Sequence, residues 1–137
     1  MDQTKKKILL VEDDSNLAGV YKARLELEGF VVVVVGNGED ALSTTLKEKP
    51  DLIVLDAMMP KISGFDVLDI LKNTPETANI RIIMLTALSQ DKDKQRAEGL
   101  GADDYLVKSQ VVIGDVVDRI KFHLGLPATT GTETPVN

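Results

Sequence analysis

Five short aliphatic runs recur along this chain, each followed by a segment long enough for a helix: Ile8 to Val11, Phe30 to Val35, Leu52 to Leu55, Ile82 to Leu85 and Tyr105 to Val107. Runs of three to six apolar residues bounded by turn residues suit strands buried on both faces. With helical segments between the strands and no hairpin signals, the pattern requires a parallel sheet covered on both sides, joined by right-handed crossovers. The expected strands are Lys6 to Val11, Phe30 to Val35, Asp51 to Leu55, Arg81 to Thr86 and Asp104 to Lys108. The expected helices are Asn16 to Glu28, Glu39 to Lys49, Phe65 to Asn73, Ser89 to Leu100 and Gln110 to Leu124.

Local signals delimit these segments. Asp14 or Ser15 can cap the first helix, with Asp14 preferred, and Gly29 suits the residue that stops it. Inner faces are expected at Leu17, Val20, Tyr21 and Leu25 in the first helix and at Ala41, Leu42, Thr45 and Leu46 in the second. In the third they fall at Val67, Leu68, Ile70 and Leu71, and in the fifth at Ile113, Val116, Val117, Ile120 and Leu124. The fourth helix is almost wholly polar, with only Ala97 and Leu100 to bury, so it should be loosely held. Val31 to Val35 is the most β-branched stretch and becomes an association hazard if it lies on a sheet edge.

Composition excludes several classes of function. The chain has no cysteine, hence no disulfide, thiolate metal site or thiol nucleophile, and its one histidine, His123, rules out multi-histidine metal centres. Sixteen basic against 22 acidic residues give a net charge of −6, which disfavours direct binding to nucleic acid. No stretch approaches a membrane span, so no membrane insertion is expected and the setting is taken as cytoplasmic. Residues 1–125 are expected to form one domain and 126–137 a Thr-rich tail.

In a parallel sheet all carboxyl ends share one edge, where open α/β sheets carry their ligand sites. The strands deliver Glu12-Asp13-Asp14, Asp56, Thr86 and Lys108 to that edge. Converging carboxylates need a cation beyond a single lysine, and an oxygen-only donor set selects a hard divalent ion, Mg²⁺ over Ca²⁺ where water positions stay open. A metal, a lysine and a hydroxyl around one carboxylate are equipment for phosphoryl transfer to that carboxylate.

Ile8-Leu-Leu-Val-Glu-Asp-Asp14, Asp51-Leu-Ile-Val-Leu-Asp-Ala-Met-Met-Pro-Lys-Ile-Ser-Gly64, Ile82-Ile-Met-Leu-Thr-Ala87 and Gly101-Ala-Asp-Asp-Tyr-Leu-Val-Lys108 together resemble the receiver domains of bacterial two-component response regulators. The resemblance runs from Lys6 to Leu124. It implies a flavodoxin-like, doubly wound fold with strand order 2-1-3-4-5. It further implies that Asp56 is the phosphoacceptor, fed by a phosphohistidine of a sensor histidine kinase or histidine phosphotransfer protein. Glu12, Asp13, Asp56 and the backbone carbonyl of Met58 would hold Mg²⁺. Thr86 and Lys108 would contact the phosphoryl group, and Tyr105 would follow Thr86. The output surface would be helix 4, strand 5 and helix 5, for a protein target or a phosphorylation-dependent dimer, with exposed Val112 and Phe122 nearby.

One departure stands out: Ser109 follows Lys108, where receivers commonly have a cis proline. Such a chain is a signalling module rather than an enzyme, taking part only in its own phosphotransfer and dephosphorylation. It is either a stand-alone regulator of the chemotaxis kind or a piece of a longer one. An aspartyl-phosphate phosphatase of the haloacid-dehalogenase type would need an acid two residues after Asp56, and Met58 stands there.

Overall fold

The computed structural model describes residues 5–128. Residues 1–4 and most of the expected tail lie outside these residues.

The elements alternate as β1 (Lys7–Val11), α1 (Ser15–Leu27), β2 (Val31–Val35), α2 (Gly38–Glu48), β3 (Leu52–Leu55), α3 (Gly64–Lys72), β4 (Arg81–Thr86), α4 (Asp91–Gly99), β5 (Asp104–Val107) and α5 (Ile113–His123). The five strands form one parallel sheet in the order β2-β1-β3-β4-β5. The expected class and order are both met.

Strand parity divides the core. Ile8, Leu10, Leu52, Val54, Ile83 and Leu85 face α1 and α5, meeting Ala18, Tyr21, Leu25, Val116, Val117 and Ile120. Leu9, Val11, Ile53, Leu55, Ile82 and Met84 face α2, α3 and α4, meeting Ala41, Phe65, Val67, Leu68, Leu71 and Ala97. Both sheet faces are therefore dry, which explains why the central strands have no polar alternation.

Three expected inner positions are instead exposed: Val20, Leu46 and Ile70. Each lies at the margin of its helix's apolar stripe, and a helix on an open sheet buries only the arc that meets the strands. The fourth helix buries Ala97 alone. Its polar surface gains a second hold from the Arg96 guanidinium, which stacks 4.3 Å above the Phe65 ring. The last helix starts later than expected. After β5 the chain makes a short 3-10 turn, Lys108–Gln110, with a trans bond before Ser109, and α5 opens only at Ile113.

The ends of α1 follow the sequence signals. Asp14 Oδ1 accepts from the backbone N–H groups of Asn16 (3.0 Å) and Leu17 (3.1 Å), and Gly29 leaves the helix at φ 98°. Replacing Asp14 by alanine should cost about 1 kcal/mol in urea unfolding. Asp14→Asn, which keeps the acceptor, should stay within about 0.5 kcal/mol of wild type. Equal losses in both variants would mean that charge, not capping, is what Asp14 supplies.

Candidate functional site

The carboxyl edge of the sheet gathers the acids. β1 runs straight into Glu12 and Asp13, and β3 into Asp56, because those strands are paired in register with Val11 beside Leu55. One carboxylate oxygen from each of Glu12, Asp13 and Asp56 lies within 4.8 Å of the others. Glu12 and Asp56 are buried and Asp13 is exposed. Lys108, at the end of β5, spans the pocket: its Nζ donates to Glu12 Oε1 at 2.6 Å and to Asp56 Oδ2 at 2.9 Å. The position of Lys108 therefore does not depend on a proline at 109.

Backbone amides complete the hold on the carboxylates. Asp14 N–H donates to Glu12 Oε2 (3.1 Å), and Met58 N–H donates to Asp56 Oδ1 (3.0 Å). Met58 itself is 54% exposed.

Three carboxylates against one ammonium leave two negative charges uncompensated. At the 4.8 Å limit and an effective dielectric near 20, each like-charged pair repels by about 3–4 kcal/mol. The two partners of the ion pair record the imbalance differently. Burial pushes the Glu12 carboxyl above its ordinary value, against the lowering effect of Lys108. Burial would lower Lys108, yet its hydrogen bonds to Glu12 and Asp56 outweigh that and raise it. Both directions hold because the one ammonium is shared: Lys108 gains two partners, while Glu12 has half a cation against full burial.

An all-oxygen, net-negative cluster that is open on its Asp13 side fits a hard divalent cation such as Mg²⁺. No soft or imidazole donor stands in it, since the chain has no cysteine and His123 lies elsewhere. His123 Nε2 is 2.9 Å from Asp104 Oδ2, which also accepts from Arg119 Nε at 2.6 Å. Burial would raise the Asp104 carboxyl, and these two partners override it to hold it low.

Thr86 and Tyr105 are not in the acid cluster but are coupled to each other through one residue. Leu88 N–H donates to Thr86 Oγ1 (3.3 Å), and Tyr105 O–H donates to the Leu88 carbonyl (2.8 Å). The sequence offered no sign that Leu88 is the link. Gly64 is the other position whose role was missed. Its N–H donates to the Ala57 carbonyl (2.9 Å), and a Cβ placed there would lie 2.0 Å from the Asp56 carbonyl oxygen. Its place directly after Ser63, which caps α3 by accepting from Asp66 N–H, was the available hint.

The description "Response regulator receiver domain" belongs to the family model that matches residues 8–121. The chain belongs to that family. Among similar proteins, the transcriptional regulatory protein CpxR of Escherichia coli (strain K12) is 48% identical over 102 residues, covering 74% of this chain and 42% of CpxR. The BeF₃-activated N-terminal receiver domain of Klebsiella pneumoniae RstA superposes with a TM-score of 0.79 at 30% identity, covering 87% of this chain and 98% of that one. The receiver domain of a sensor histidine kinase from Pseudomonas aeruginosa PAO1, described with magnesium coordinated in its active-site cleft, has a TM-score of 0.81 at 25% identity, covering 89% and 99%. This receiver spans about half the length of the curated relatives it matches. It is a signalling module of the two-component type. No helix among its described residues is long and apolar enough to cross a membrane.

Proposed function

We propose that Asp56 accepts a phosphoryl group from a phosphohistidine of a sensor histidine kinase or histidine phosphotransfer protein. The observation that carries this reading is a buried carboxylate at the sheet's carboxyl edge, held by one ammonium and flanked by two further acids. An Asp56 oxygen forms the new P–O bond as the P–N bond to the donor imidazole breaks. The departing ring nitrogen keeps the electron pair and takes up a proton. Glu12, Asp13, Asp56 and the Met58 carbonyl would hold Mg²⁺, which when bound offsets charge on the phosphoryl oxygens. Lys108 leaves its bond to Asp56 Oδ2 and pairs with an incoming oxygen.

Thr86 is the hydroxyl that turns toward the new group. To do so it gives up the Leu88 N–H, and Leu88 is what Tyr105 holds by its carbonyl. The β4–α4 connection and α4 then shift together, since α4 buries only Ala97. The groove of about 390 Å³ between α4 and β5, lined by Ser89, Gln90, Lys94, Tyr105, Leu106 and Gln110, changes shape with them. This face, with α5, is where a downstream protein or a phosphorylation-dependent second copy would read the state. Because the curated relatives are longer and include transcriptional regulators, the output is a property of a longer protein or a separate partner. We place the receiver at 1–125 and a tail beyond it, with Leu126 packed against the α5 side of the core.

The test is ¹⁵N NMR of wild type and Asp56→Asn with beryllofluoride and Mg²⁺, alongside radiolabel transfer from a phosphohistidine donor. Wild type should incorporate label and shift its Leu88, α4 and Tyr105 amides. Asp56→Asn should do neither while keeping its fold. Unchanged wild-type spectra, or label retained in the variant, would refute the assignment.

A further inference from the structure

The all-valine strand β2 is the one motif that the phosphoryl-transfer reading leaves unused. Among the described residues it forms one edge of the sheet, paired only with β1. Val31 N–H donates to the Lys6 carbonyl and the Val35 carbonyl accepts from Glu12 N–H, so Val31 and Val35 turn their backbone groups toward β1. Backbone polar groups alternate along a strand paired on one side, so Val33 also faces β1 while Val32 and Val34 point their N–H and C=O groups away from the sheet. No charged side chain, proline or bulge interrupts the five residues, although natural edges are ordinarily blocked by such devices. Val31 and Val34 are 42% and 37% exposed.

We propose that this edge binds a second copy of the same chain, the two β2 strands pairing antiparallel about a two-fold axis at Val33. In that register Val32 stands opposite the other copy's Val34, and both are residues with outward groups. Each such pair exchanges two hydrogen bonds, so the four outward groups of each strand's Val32 and Val34 are all satisfied. Every side chain meets a valine, so no like charges or size mismatches arise across the axis. The antiparallel arrangement also sets the acid pockets, at the carboxyl ends of the strands, at opposite ends of the joint. Repulsion between their net negative charges is therefore small. Because the contact is isologous it closes as a dimer and does not propagate. It is independent of the phosphoacceptor assignment.

Sedimentation of the unphosphorylated protein from about 1 µM to about 1 mM tests the pairing. Wild type should move from 14.9 kDa toward twice that mass. Val34→Pro removes only an outward N–H, and Val34→Lys puts a charge on the edge; both should stay monomeric with the melting temperature of the wild-type monomer. Since the chain has no cysteine, Val33→Cys adds a unique probe on the axis. Its Cα would lie about 4.5 Å from its mate, within disulfide range, so copper-phenanthroline should cross-link it to a dimer, whereas Phe122→Cys on α5 should not cross-link. A monomeric wild type at the top concentration, association unaffected by Val34→Lys, open-ended polymers, or equal cross-linking at 33 and 122 would each overturn the proposal.

Discussion

Replacing Gly64 by alanine should cost about 3 kcal/mol of stability, lowering the melting temperature by about 10 °C. The added methyl would sit 2.0 Å from the Asp56 carbonyl oxygen and 2.7 Å from Ala57 Cα, and both obstacles are backbone that cannot rotate aside. The start of α3 must then retreat from the end of β3, loosening the Gly64–Ala57 hydrogen bond and shifting the Asp56 backbone. Phosphoryl incorporation at Asp56 should fall at least tenfold even at temperatures where the variant is fully folded. Gly19→Ala is the control. Nothing lies within 4 Å of the corresponding Cβ, and the residue is inside α1. There alanine should stabilise by about 0.5–1 kcal/mol. Calorimetry of the two variants decides the matter: similar melting temperatures would mean that the loop beneath Asp56 yields easily.

Lys108→Met is expected to destabilise the metal-free protein by about 2 kcal/mol at neutral pH. That is less than the 3–5 kcal/mol typical of a fully buried pair because the Lys108 side chain is 22% exposed. The loss should depend on pH in a defined sense. Glu12 already has a raised pKa through burial, with Lys108 opposing the shift. A raised carboxylate makes the folded state bind protons more readily than the unfolded state, so it favours the fold as pH falls and disfavours it as pH rises. Removing Lys108 removes the opposition and raises Glu12 further. Lys108 itself stays charged throughout this range, since its own value is raised and its stabilisation is lost only in strong alkali. The stability gap between Lys108→Met and wild type should therefore narrow from pH 7.5 to pH 5. Glu12→Gln placed in the Lys108→Met background should abolish the narrowing. A gap that is constant with pH would show that the methylene chain of Lys108, not its charge, supports the pocket.

Much of this architecture was legible in the amino-acid order because each signal is local. Three central runs such as Leu52–Leu55 lack polar alternation, which only a sheet dry on both faces permits, and the observed division of odd and even strand residues bears that out. Asp14 and Gly29 act as cap and stop through hydrogen bonds and dihedral angles within a few residues. Side-chain margins were less legible. Val20, Leu46 and Ile70 fit the helical period but lie outside the arc that meets the strands, and that arc depends on how far each helix rolls on the sheet. Helix α5 began three residues later than its periodicity suggested, because the chain first makes the 3-10 turn that carries Lys108.

The site divides along the same line. That Glu12, Asp13, Asp56 and Lys108 share an edge follows from parallel strands alone, since every carboxyl end points the same way. That one ammonium bridges Glu12 and Asp56 depends on a contact across 96 residues of sequence for the first and 52 for the second. Thr86 and Tyr105 are joined through the N–H and the carbonyl of one residue, Leu88, and nothing in the order of residues marks Leu88 for that role. The exposed valine edge likewise became an edge only through the strand order β2-β1-β3-β4-β5. Local chemistry determined which segments form strands, where helices begin and end, and which residues carry charge to the rim. The packing of distant segments decided which of those charges touch, which glycine has no room for a methyl, and which strands are left at the sheet edges with a single neighbour, because those outcomes depend on distances that no neighbouring residue sets.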